Sequence, residues 1–268
     1  MKKTALAIAI TGMLFAPLAS HAETAAPAAA APAAATPPAP PPFTGNVTLA
    51  SEYLYRGIAQ THGKPALQGG FDYAHPSGFY VGTWGSTISW LADVGGGISA
   101  PLELDIYGGY KNSISDDWSY DVGVLTYNYP GTYPSGFTKP DTTELYGQLG
   151  FKWLTAKYSY VVSDHIFGIT STKGGKTNGS GYLDLTATFD LGDGWGITGH
   201  GGHQTIKDNG PASYSDWKIG VTKDLGLGTV GLYYSDTNAK GGPNQFYRDA
   251  LNRDMGQGRA LLTFTKTL

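Results

Sequence analysis

His62, His75, His165, His200 and His203 are the side chains beyond the first forty residues best suited to proton or metal chemistry, because the chain has no cysteine. A Ser/His dyad of the kind an outer-membrane lipase would carry needs a histidine beside a serine and a third group to orient it. His62 and His165 fall in long polar connections, and His75 falls in a short turn. His200 and His203 stand three apart in an alternating segment, so they face opposite ways and cannot share one metal or one serine. No nucleophile-elbow or metalloprotease spacing is present. The run Gly199–His203 reads more simply as a glycine-rich twisted strand. The sequence therefore predicts no enzyme, no cofactor and no metal ligand.

Charge offers a second chemistry. Glu52, Asp72, Glu103, Asp105, Asp121, Glu144, Asp184, Asp190 and Asp216 recur on the polar side of alternating segments. The same side carries Arg56, Lys111, Lys152, Lys157, Lys218 and Arg259. Carboxylates in excess, lining a water-filled lumen, would give a mild cation preference. The alternative is an internal ion-pair network that closes a narrow barrel. Arg56 stands out, because it ends an alternating run just before Gly57. It is expected at the outer rim, paired with Glu52 or a neighbouring carboxylate and narrowing the pore.

The elements that must position these charges are strands of about ten residues. Twelve are predicted: 46–56, 65–73, 79–88, 102–111, 118–128, 142–151, 154–162, 182–191, 195–204, 214–223, 229–235 and 259–268. Their connections are by turns short and long, the pattern of an up-and-down outer-membrane β-barrel with both ends on the periplasmic side. One face of each strand is apolar and the other charged. Val47, Leu49, Tyr53 and Tyr55 oppose Thr48, Glu52 and Arg56, and Leu145, Leu149 and Phe151 oppose Glu144, Gln148 and Lys152. Such alternation also suits a soluble barrel with an apolar interior, but twelve strands enclose more space than one apolar layer fills. Tyr53, Tyr55, Phe79, Tyr80, Trp118, Tyr120, Trp153 and Trp195 cluster at predicted strand ends, as interfacial girdles do. The faces of 79–88 are not assigned, since both carry aromatics. In the long segment 236–258, residues Phe246–Leu251 suggest a helical turn that could fold over the mouth.

Residues 1–22 read as a signal peptide, with Lys2 and Lys3, an apolar run and small residues around Ala22. Residues 23–42 form an Ala/Pro-rich linker too poor in apolar side chains to fold. The barrel is expected over 43–268. Asp and Glu number 21 against 18 Lys and Arg, with no basic block, so nucleic acid is excluded as a partner.

The stretch Asn46–Ser86, with Tyr55-Arg56-Gly57-Ile58-Ala59-Gln60 at its centre, resembles the start of the TorF-type porin family of proteobacteria. Pro65–Gly69, Gly78–Gly82 and the segment from Phe246-Tyr247-Arg248-Asp249 to the C-terminus are similar as well. The chain departs from the usual pattern by closing on Leu268 instead of an aromatic, although Phe264 lies on the same face. The resemblance implies an outer-membrane channel admitting small solutes or ions, in contact with lipid and with the barrel-insertion machinery. The runner-up is a closed structural or adhesion barrel acting through its outer loops. Oligomeric state is left open.

Overall fold

The computed structural model describes residues 42–268, so the expected signal peptide and all but Pro42 of the linker lie outside the described residues. Strands β1 (Phe43–Ala50), β4 (Ala66–Ala74), β5 (Phe79–Thr87), β6 (Leu102–Ser113), β7 (Trp118–Asn128) and β8 (Thr142–Phe151) make half of a barrel. Strands β9 (Leu154–Val161), β10 (Gly181–Gly192), β11 (Trp195–Thr205), β12 (Tyr214–Asp224), β13 (Thr229–Thr237) and β14 (Arg259–Thr267) complete it. These twelve pair antiparallel with their sequence neighbours, and β1 closes on β14 with Asn46 opposite Thr267 and Ala50 opposite Thr263. A two-stranded hairpin, β2 (Leu54–Tyr55) and β3 (Ile58–Ala59), forms a separate sheet.

The predicted strands all recur within a few residues, with one exception. The first ends at Ala50, not at 56, and the chain then leaves the wall. Connections 75–78, 114–117, 152–153, 193–194 and 225–228 lie at one end of the barrel. The other end carries six loops, 51–65, 88–101, 129–141, 162–180, 206–213 and 238–258, with helix α1 (Trp90–Asp93) in the second.

Faces follow the period of two. Leu49, Leu67, Phe71, Ile106, Leu145, Leu185, Ile219 and Leu262 are exposed around the outside, while Thr48, Gln68, Asp105, Glu144 and Asp184 are buried within. In β5 Tyr80 and Trp84 point inward and Phe79 and Val81 outward, which resolves that strand. Near the short turns, outward-facing rings pair as Trp118–Phe151, Trp153–Phe189 and Phe79–Tyr110, with centroids 4.7, 4.9 and 5.0 Å apart. Trp217 and Tyr234 form a similar outward pair toward the loop end. An apolar band between aromatic girdles is what a bilayer requires of a barrel's outer face, and an outer-membrane location follows. Tyr53, Tyr55 and Tyr80 do not belong to these girdles, because all three are buried inside.

A hairpin latched inside the barrel: the candidate pore

Twelve strands leave a bore that wall side chains alone do not fill. Here the first loop enters it. Tyr53, Leu54, Tyr55, Arg56, Ile58 and Ala59 are all buried. Leu54 and Ala59 pack on Tyr233 and Leu261, and Ile58 packs on Tyr214 and Tyr247. Tyr53 and Tyr55 join the large cluster with Trp84, Tyr107, Tyr127 and Tyr146. The hairpin thus touches opposing walls. Its tight reversal puts Arg56 at φ 48° and Gly57 at φ 76°, and a Cβ on Gly57 would lie 2.9 Å from that of Asp216. Glycine is needed there both for the backbone angle and for the close approach.

Arg56 latches the hairpin. Its Nη2 donates to both oxygens of Glu144, at 3.0 and 2.8 Å, and Nη1 donates to Gln204 Oε1 at 2.6 Å. The guanidinium also lies 4.2 Å from the centroid of the Tyr182 ring and 4.8 Å from that of Tyr55. Both charges are removed from water, at 5% and 1% side-chain exposure. The expected rim position is therefore corrected, because the strand stops early. The partner is an inward carboxylate as expected, but it is Glu144 across the bore, and Glu52 meets Arg259 at 3.1 Å. Glu52 also accepts from Gly63 N at 2.7 Å, fixing the far end of the loop.

Around the latch, carboxylates meet tyrosines. Glu103 accepts from Tyr53 at 2.7 Å and Tyr129 at 2.9 Å. Asp121 accepts from Tyr80 at 2.6 Å, and Tyr80 and Tyr146 join hydroxyls. Asp72 accepts from Tyr107 at 2.7 Å. Asp105 is fully buried between these groups. Asp184 and Asp216 flank His200, at 3.3 and 2.9 Å, and Tyr182 donates to Asp216 at 2.8 Å. Lys111, Lys157 and Lys218 lie against the rings of Tyr80, Tyr146 and Tyr233. On the periplasmic side of the hairpin is a cavity of about 70 Å³, bordered by Arg56, Asp184, His200, Asp216, Lys218 and Tyr233.

Two predicted pore residues are elsewhere. Lys152 sits in the turn 152–153 at φ 53° and pairs with Asp117 at 3.4 Å, both half exposed. Asp190 is exposed at the periplasmic rim, where it accepts from Gly192 N at 2.8 Å. Both have inward parity, but strand parity says nothing about height. Sequence reasoning missed the tyrosines and His200. Tyr107, Tyr127, Tyr146, Tyr182 and Tyr214 all share parity with an inward carboxylate of their own strand, so the signal was present. His203 faces outward to Ser215, as its spacing from His200 requires.

The outer loops close over the hairpin. Tyr247 of the sixth loop donates to Ala212 O at 2.6 Å and stacks edge-on against Tyr214. This loop does cover the mouth, but Phe246–Leu251 form turns and not a helical turn. Beside it, Arg253 bonds both Asp93 and Asp249 at 2.7 Å, with His62 between the two carboxylates. Burial opposes their charge, but bonding to Arg253 outweighs it and holds both acids below the usual carboxylate range. Burial first, and Arg253 second, lower the His62 pKa.

Among solved structures, the chain is similar to the NanC porin, with a TM-score of 0.54 at 12% identity over 83% of this chain and 98% of that one. It is also similar to the KdgM porin, with a TM-score of 0.51 at 7% identity over 83% and 98%. These likenesses are of fold. No curated protein matches the sequence. The profile of the Gcw_chp family, bacterial proteins of unknown function, matches residues 34–268, and the chain belongs to that family.

Proposed function

We propose that this barrel is a narrow, gated outer-membrane channel of the TorF porin type, passing small solutes or ions by diffusion and without catalysis. The Arg56 latch carries this reading. The hairpin reaches across the bore and is held to the far wall by Arg56 on Glu144, an arrangement in which breaking one ion pair would free a segment that occupies the lumen, as a gate requires. Glu52, Asp72, Glu103, Asp105, Asp121, Glu144, Asp184 and Asp216 outnumber Arg56, Lys111, Lys157, Lys218 and Arg259 inside the wall, which supports a cation preference. Delivery to the membrane would use the barrel-insertion machinery, with Phe264 and Leu268 on the lipid side of the last strand.

The packing of the hairpin favours a second reading, a closed barrel that acts through its outer loops. Liposome swelling separates the two. Vesicles carrying the refolded barrel should swell in an isosmotic monosaccharide and not in a trisaccharide. Failure to swell in either solute, from vesicles whose barrel shows heat-modifiable migration, would favour the closed barrel.

A further inference from the structure

His62, Asp93 and Asp249 come from the first, second and sixth loops, far apart in sequence, yet one ligand atom of each lies within 4.8 Å of the others. The His62 side chain is only 1% exposed. Neither of its ring nitrogens makes a hydrogen bond among the described residues, although each faces a carboxylate. Nε2 is 3.2 Å from Asp249 Oδ2, and Nδ1 is 3.8 Å from Asp93 Oδ2. A buried imidazole with both nitrogens unused is costly and calls for a partner. The backbone around the ring is fixed as well: His62 adopts φ 49°, a conformation its surroundings impose, and the next amide, Gly63 N, donates to Glu52 at 2.7 Å.

We propose that these three residues form a site for a divalent transition metal of the zinc class, clasping three outer loops together at the mouth of the barrel. Tetrahedral ligands at about 2.0–2.1 Å from zinc stand roughly 3.3 Å from one another, close to the Nε2–Oδ2 spacing found here. An imidazole with two carboxylates selects zinc, nickel or copper over calcium, which favours oxygen donors alone. The other groups around the site are the cations Arg253, bonded to both carboxylates, and Lys64, 3.6 Å from Asp93, together with Ser89, which donates to Asp93 at 3.0 Å. Arg253 now supplies the positive charge that a metal would supply. Its side chain is 31% exposed, so it has solvent to turn into when a metal takes the carboxylates. Arg253 is therefore a competitor of the metal and not a ligand.

That competition makes the site testable by calorimetric titration of zinc chloride into the refolded full barrel in detergent. Wild type should bind one zinc saturably, and calcium should give no saturable heat. His62→Asn, which keeps a residue tolerant of positive φ, and Asp249→Asn should each weaken zinc binding by at least about tenfold, as loss of a metal's supporting groups does. Arg253→Gln should tighten it. Identical isotherms for wild type and His62→Asn would overturn the proposal, since zinc would then be sitting on other histidines. So would an Arg253→Gln barrel that migrates as folded but binds zinc no better than wild type, because the cluster would then be an ion pair only.

Discussion

Arg56 brings a permanent charge into a buried place, where one nitrogen of its guanidinium donates to both oxygens of Glu144. Removing one member of a buried pair leaves the other uncompensated, at a cost of about 3–5 kcal/mol. Arg56→Ala should therefore lower the thermal midpoint of the folded band in heat-modifiable gel migration. The double variant Arg56→Ala/Glu144→Gln should recover part of that loss, because no carboxylate is then stranded. Additive losses in the two variants would show that the pair is not coupled. Arg56→Lys should behave more like the alanine variant than like wild type, since a compact ammonium cannot bond Glu144 from one nitrogen and Gln204 from another while stacking on the Tyr182 and Tyr55 rings. In swelling or conductance, loss of the latch should raise flux several-fold while the barrel stays folded. Unchanged flux would remove Arg56 from the gate.

Strands are where the sequence was most legible. A charge at mid-bilayer on the lipid face costs about 2–4 kcal/mol, so charges mark the inner face of each strand with little ambiguity. Leu185→Lys, on the exposed face of β10 beside inward Asp184, should reduce folding stability in urea titrations by that amount, and no loss would place the residue off the lipid face. What could not be read was the end of β1. Glu52, Tyr53, Tyr55 and Arg56 continue the alternation of the strand before them, and a strand and an inward-folded hairpin share that pattern. Tyr53 and Tyr55 suit a membrane interface as well as a bore, because their rings are apolar and their hydroxyls need a partner. Only the distant partners Glu103 and Tyr127 decide between the two. The glycines of the wall are clearer in retrospect. A methyl added at Gly220 would run into the Tyr233 ring, and one at Gly123 into the Tyr146 ring, so these glycines let tyrosines lie flat against the inner wall. Gly220→Ala should push Tyr233 off the wall at about 1–3 kcal/mol, the usual cost of overpacking. It should also disturb the Leu54–Leu261 contact that seats the hairpin. A Gly220→Ala barrel as stable as wild type would show that the ring has room to move.

At the scale of the whole molecule, the chain meets two demands with one sequence. Its outside is an apolar band with aromatic girdles, and its inside is polar, acidic and crossed by its own first loop. The sequence pattern assigned the membrane face and the sign of the interior charge, because both follow from a period of two. It did not assign the height of each charge, which is why Lys152 and Asp190 fall at the rim, or the meeting of loops that brings His62 to Asp93 and Asp249. Those depend on where connections fold, and loops carry no period. A channel of this kind requires the interior to be a path for ions. Planar-bilayer recording of the refolded barrel across a potassium chloride gradient tests this most directly. The predicted result is discrete, brief current steps with a reversal potential on the cation-selective side. A silent membrane holding folded barrel, for wild type and Arg56→Ala alike, would contradict it.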